Sequence, residues 1–329
     1  MLNRLPWLCA ALVLVASLGA GTAEETLRFK FKAGETIHYI MRQESVQKLG
    51  SSMAGIPMTM TVMQIMDMTL VVKAVEDDGR AAVTQTFDRI QMKIQSPQGL
   101  TLEYDSAAEK EPEGLASLVA PMLGSMVKKP INAKVTPRGL LTDIEFPQGF
   151  MEGVAKALQG SPVSDILSED NLKHILQTVV LPEEPVVIGK KWTQVTDITN
   201  AILGKVKLEV EYEYAGPETR GGKRLEKILS TTKMSQTPGE KQALNLEFKG
   251  QEAKSTLYFD NQEGRVVEAE TKQILKITTS MMGQNVDMDM TITAQFELAP
   301  PGAARGKEAG KESSAEMKEK EKTKEGGGS

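Results

Sequence analysis

The chain has 329 residues, 40% hydrophobic and 25% charged, and its 39 Lys+Arg against 44 Asp+Glu leave a formal charge of −5. That balance fits a globular body with a substantial core and gives no basic footprint for nucleic acid. The aromatic fraction of 5% provides few base-stacking platforms, and two histidines with one cysteine leave little material for metal or nucleophile chemistry.

Residues 1–23 read as a secretory signal peptide. Arg4 supplies the basic start, Leu5–Ala20 is almost wholly apolar, and Gly21-Thr22-Ala23 gives a small-residue exit before Glu24-Glu25. The apolar run falls short of the ~20 residues that a spanning helix needs. Cys9 lies inside it, so the mature chain is expected to hold no cysteine and no disulfide, and no further segment is long and apolar enough to span a membrane. The expected compartment is periplasmic or extracellular.

Residues 24–110 form a first β-rich block. Leu27, Phe29 and Phe31 alternate with Arg28, Lys30 and Lys32, the period of a strand with one dry and one wet face. Long strands are expected over Thr36–Lys48 and Met58–Val75, broken by turns at Asp77-Asp78-Gly79 and Pro97-Gln98-Gly99.

Residues 111–182 form a helical segment. Leu115, Leu118, Val119, Met122 and Met126 make one apolar stripe around Pro121, and Phe150, Val154 and Leu158 a second. A third helix carries Leu172, Ile175, Leu176 and Val179 after Ser168 as N-cap. A hairpin at 131–145 turns at Pro137-Arg138-Gly139. Residues 183–299 are a second β-rich block, where Val206, Leu208, Val210, Tyr212 and Tyr214 alternate with Lys205, Lys207, Glu209, Glu211 and Glu213. Its turns fall at Gly221-Gly222 and Asn261-Gln262-Glu263-Gly264. From 300 to 329 the composition becomes Lys, Glu and Gly, which cannot bury enough surface to offset its ordering entropy, so a disordered tail is expected.

The expected fold is therefore α+β, predominantly antiparallel β, with two curved β-rich blocks flanking about three central helices. A weak echo links Ser52-Met53-Ala54-Gly55…Met58-Thr59-Met60 to Ser280-Met281-Met282-Gly283…Met288-Asp289-Met290. It fits either a degenerate duplication or two similar hairpins in one sheet.

Candidate chemistry is sparse. Ser125-Met126-Val127-Lys128 matches Ser-x-x-Lys without a Lys-Thr-Gly or Ser-Asp-Asn to accompany it, and reads as a helix end. Asp170 and His174 share a helix face but lack a nucleophile, and His38 is a lone strand histidine. Asp88 and Arg89 point to opposite strand faces, while Glu268 and Glu270 share one with Lys272, as on a wet sheet face. No phosphate loop, dinucleotide fingerprint or zinc spacing is present, so no catalytic residue, metal or cofactor is assigned.

The 18 methionines are the compositional oddity. Met58, Met60, Met66 and Met68 share a face of one strand, and Met282, Met288 and Met290 a face of another. Met-x-Met pairs suit soft Cu(I), but flexible thioethers among plain hydrophobes fit core filler or an apolar ligand lining better. The leading expectation is a non-catalytic envelope protein holding a lipid or acyl chain against these residues. A structural or partner-binding envelope protein using exposed hairpin edges is the alternative, and Cu(I) binding comes third. The partner is accordingly an apolar small molecule or an envelope protein.

Several motifs come in an order that resembles a known family. They are Met66-Asp67-Met68-Thr69, Asp77-Asp78-Gly79, Thr84-Gln85-Thr86-Phe87-Asp88-Arg89-Ile90, Glu103-Tyr104-Asp105-Ser106, and Leu257-Tyr258-Phe259-Asp260…Gly264-Arg265-Val266-Val267-Glu268. They resemble an uncharacterised family of exported bacterial proteins, chiefly planctomycete. The resemblance covers most of Leu27–Leu298 and implies export, with no established activity and no site residues to transfer.

Overall fold

The computed structural model describes residues 24–50, 58–97, 99–157, 169–176, 179–200, 204–236, 246–281 and 284–300. The signal peptide, Met282, Ser168 and all but the first residue of the charged tail lie outside them, as do the side chains of Asp170 and His174.

Twelve strands build one sheet: β1 (Thr36–Leu49), β2 (Met58–Val75), β3 (Ala81–Gln95), β4 (Thr101–Asp105), β5 (Ile131–Val135), β6 (Leu141–Glu145), β7 (Lys191–Asn200), β8 (Gly204–Arg220), β9 (Lys223–Gln236), β10 (Leu246–Asp260), β11 (Arg265–Met281) and β12 (Gln284–Leu298). Among the described residues three helices accompany them: α1 (Ala116–Met126), α2 (Phe150–Ala157) and α3 (Glu169–Leu176). The order across the sheet is β6-β5-β3-β2-β1-β12-β11-β10-β9-β8-β7, with β4 also on β3. The fold is α+β and dominated by antiparallel ladders. Among the described residues no helix is long and apolar enough to cross a membrane.

The predicted turns lie where positive-φ glycines allow the chain to reverse. Gly79, Gly99, Gly139, Gly221, Gly222 and Gly264 all have positive φ, conformations that cost other residues more. The two β-rich blocks join along β1 and β12, whose ladder runs from Tyr39↔Leu298 to Leu49↔Met288. Of the echoed Met segments, Met58 and Met288 both pair with Leu49 in this one sheet, while residues 52–55, Met282 and Gly283 lie outside the described residues.

Three apolar clusters sit along this sheet. One gathers Leu27, Val179, Leu181, Val186, Tyr212, Tyr214, Ile228, Phe259 and Val266. A second gathers Met68, Phe87, Ile90, Leu102, Tyr104, Ala116, Leu123 and Ile131 beside α1, and a third Val72, Ala81, Val83 and Val135. Phe296 packs against the first two and stacks on Tyr39 at 4.5 Å between ring centroids.

Two local expectations need correction. Leu27, Phe29 and Phe31 do alternate inward, but their segment is not a sheet strand. It lies across the turn end of the sheet, with Phe29 N–H donating to the Pro137 carbonyl at 2.7 Å and Lys30 N–H to the Gly264 carbonyl at 3.0 Å. Its apolar period comes from packing without a ladder. The predicted stripe on α1 holds in part: Val119, Met122 and Met126 pack against the cluster beside α1, but Leu118 is 71% exposed and Leu115 is exposed too, whereas Ala116 and Leu123 are buried. Leu123 and Ala116 enter the cluster, with Ala120 packed against it, and a Cβ added at Gly124 would lie 3.7 Å from the Tyr104 hydroxyl.

Candidate functional site

Following the register from strand to strand sorts the side chains into two faces. One carries Trp192, Gln194, Thr196 and Ile198 of β7, then Val206, Leu208, Val210, Tyr212 and Tyr214 of β8. It continues through Ser255, Thr271, Ala294, Gln43 and Gln64, and through Leu275, Met290, Gln47 and Met60. Among the described side chains at paired positions, the charged exceptions on this face are Arg224 and Glu226 at the turn end of β9. They are neutralised locally. Arg224 bridges Glu226 at 3.3 Å and Glu25 at 2.6 Å, and the buried Tyr214 hydroxyl donates to Glu226. Burial, reinforced by that carboxylate, drives the Tyr214 phenol well above its ordinary range.

The opposite face carries alternating Lys, Arg, Asp and Glu in pairs such as Arg42–Glu297 (2.8 Å), Lys191–Glu211 (2.9 Å) and Arg220–Glu268 (3.3 Å). Most of the polar sequence candidates fall here and are accounted for. His38 Nδ1 lies 2.8 Å from Thr69 Oγ1, and that hydroxyl bonds Asp88. Asp88 and Arg89 were expected on opposite faces, but the register shift beside Asp67 brings both to this one, where Arg89 grips Asp105 through Nε (2.9 Å) and Nη2 (2.5 Å). Burial would raise Asp105, but the Arg89 fork and the Ala107 N–H hold it below the usual carboxylate range. Asp67, nearby, is raised by burial against the opposing pull of Arg89. Glu268 is spent on Arg220, and Ser125 Oγ donates to the Met122 carbonyl at 2.7 Å as a helix-end residue does. A depression across β10, β11 and β12 is rimmed by Lys254, Glu270 and Lys272, so it is polar and open.

The predicted methionines divide. Met68 is 8% exposed inside the cluster beside α1, with Met66 packed against it. Met58, Met60, Met288 and Met290 stand on the uncharged face toward the other end of the sheet. Met58 and Met288 flank Leu49, and Met60 and Met290 flank Gln47. Each pair is thus two strands apart, about 10 Å. Met58 is 43% exposed and the other three are partly exposed. His38 pairs with Thr69 on the opposite face, and among the described residues no cluster of His, Cys, Asp and Glu is arranged to hold a metal.

Sequence reasoning missed Ser45. It lies on β1 between Gln43 and Gln47, with Val62 and Ile292 as its cross-strand neighbours. It is 4% exposed, and its hydroxyl is buried without a hydrogen-bond partner. The signal was available: Tyr39, Met41, Gln43, Ser45, Gln47 and Leu49 share one phase of the alternation, so uncharged polar residues occupy positions that otherwise hold core side chains.

Comparison with known proteins adds a family and little chemistry. No curated protein matches the chain. Among solved structures, lipovitellin, from a study of its lipid–protein interactions, is similar at 10% identity and a TM-score of 0.43. That match covers 84% of this chain and 27% of the lipovitellin chain, so this protein spans about a quarter of that one. DynF from the dynemicin biosynthesis pathway of Micromonospora chersina is 8% identical, with 86% and 89% of the two chains covered and a TM-score of 0.20. A DUF1329 family protein from Desulfovibrio piger is 10% identical, with 80% and 87% covered and a TM-score of 0.16. The model of a family of unknown function, DUF6263, matches residues 78–266, more than half of the chain, and the protein belongs to that family.

Proposed function

We propose that this protein is an exported, non-catalytic binding protein of the cell envelope, and that its uncharged sheet face receives an apolar ligand such as a lipid or acyl chain. The supporting observation is the segregation of charge across a single sheet. Among the described paired positions, one face carries nearly all the ion pairs, while on the other the charged groups are Arg224 and Glu226, at the turn end of β9. A wet antiparallel face ordinarily alternates toward charge, and a large uncharged face that is incompletely covered marks an interaction surface. Methionine suits it because an unbranched thioether side chain repacks around differently shaped apolar partners. Export rests on the apolar Leu5–Ala20 run and its small-residue exit.

The test is native mass spectrometry of the purified chain after exposure to a lipid extract. An adduct soluble in organic solvent is expected for the wild type, and its loss in Met58→Asp/Met288→Asp, which places charge on the open end. A clean apo mass after that exposure overturns the proposal.

A second reading has its own support. β7 is an edge strand, paired with β8, and carries Val195 at 52% exposure. Strand addition by a partner protein would use that edge. Protection of β7 amides from hydrogen exchange by a captured partner would favour it.

A further inference from the structure

We infer that the ligand is a neutral lipid bearing a carbonyl, of the ester or ketone class, and that Ser45 receives the carbonyl oxygen. This rests on the apolar-ligand reading above and names the chemistry of its polar group. Ser45 occupies the middle of β1, a central strand of the sheet. Its short side chain lies among longer neighbours, Val62 and Ile292 across the ladders and Gln43 and Gln47 along the strand, and is covered at 4% exposure, so a bound carbonyl reaches it by displacing the flexible Gln43 and Gln47 side chains.

The hydroxyl there is buried and unpartnered. A buried donor left unpaired carries its full desolvation penalty, and alanine at the same place would avoid it. The hydroxyl is therefore a cost to the empty protein that a bound acceptor removes. The neighbouring groups decide which acceptor. Gln43, Gln47 and Gln64 are uncharged, and the one cation at a described paired position of this face, Arg224, is committed to Glu25 and Glu226 at the far turn. A carboxylate or phosphate seated over Ser45 would lose its hydration with no counter-charge. A pure hydrocarbon would leave the hydroxyl as it is. A neutral carbonyl accepts the O–H, and its flanking chains lie along the apolar rows through Met60, Val62, Met290 and Ile292.

The experiment uses the full chain stripped of lipid and three probes of equal chain length: hexadecyl acetate, hexadecane and palmitate. Each is measured by displacement of a fluorescent acyl probe. The wild type is expected to bind the ester about tenfold more tightly than the hydrocarbon, and palmitate no better than the hydrocarbon. Ser45→Ala should lower ester affinity to the hydrocarbon level, leave hexadecane binding unchanged, and unfold no earlier than wild type when empty. Ser45→Cys, which replaces a strong donor by a weak one at similar volume, should give the same loss. Equal binding of ester and hydrocarbon by the wild type, preference for palmitate, or an ester preference that survives both substitutions overturns the inference. Failure to bind any of the three overturns the apolar-ligand reading itself.

Discussion

Tyr212 lies in one apolar cluster and Tyr39 packs against another, and both report on them through their phenols. Burial pushes both up to about 12 from an ordinary value of 10. Tyr39 donates to the Val266 carbonyl at 3.3 Å and Tyr212 to Gln194 Oε1 at 3.1 Å, bonds that only the neutral phenol can donate. Above pH 10 the unfolded chain loses these protons while the folded chain keeps them. The contribution is therefore complete below pH 10 and is lost as pH rises toward 12. Denaturant midpoints should fall across that window, and an ultraviolet titration should show late-ionising phenols. Tyr39→Phe should remove part of the fall. At this scale the sequence was a partial guide. Alternation placed Tyr212 on an inward phase and put Ser45 in phase with Tyr39 and Met41, but it did not show that Ser45 is buried, because a serine in a strand looks the same whether it faces water or lies under longer side chains.

The elements were more legible, and their failures are instructive. Strands of 14 and 18 residues over β1 and β2, and the turns at Gly79, Gly99, Gly139, Gly221-Gly222 and Gly264, follow from period-two patterning and glycine punctuation. The extended segment from Leu27 to Phe31 carries the same period because it too packs one side inward, and periodicity cannot distinguish a ladder from its absence. The role of that segment is visible in the glycines it crosses. At Gly264 (φ +65°) an added Cβ would lie 2.3 Å from Lys30 N, and at Gly139 (φ +88°) 2.6 Å from the Phe29 ring. Gly34 has φ +82° with nothing within 4 Å, so only the backbone preference is at stake there. Gly264→Ala should therefore cost well over the ~1 kcal/mol expected of Gly34→Ala, since it must also push Lys30 off its bond to the turn. Denaturant titration of the two variants side by side checks the difference.

For the whole molecule, the ladder between β1 and β12 makes the two β-rich blocks one sheet. Tyr39 and Leu298 are 298 − 39 = 259 residues apart, and a pairing over that distance leaves no pattern in either segment alone. The union of the two blocks was not readable in the sequence. If residues 24–182 and 183–299 are produced separately, each exposes an unpaired strand, β1 or β12, with an apolar row along it. Neither half should show a cooperative unfolding transition alone, and co-production should restore one that matches the intact chain.

That same ladder sets a clock on synthesis. β1 leaves the ribosome early and finds β2 within a hairpin's length, but its other edge has no partner until the last strand has been made. At about 5–20 residues per second the interval is on the order of tens of seconds. Throughout it, a central strand whose inward row is Tyr39, Met41, Gln43, Ser45, Gln47 and Leu49 presents bare backbone to whatever lies nearby. An edge left bare for that long is a template for pairing with other chains, and any pause late in translation prolongs its exposure.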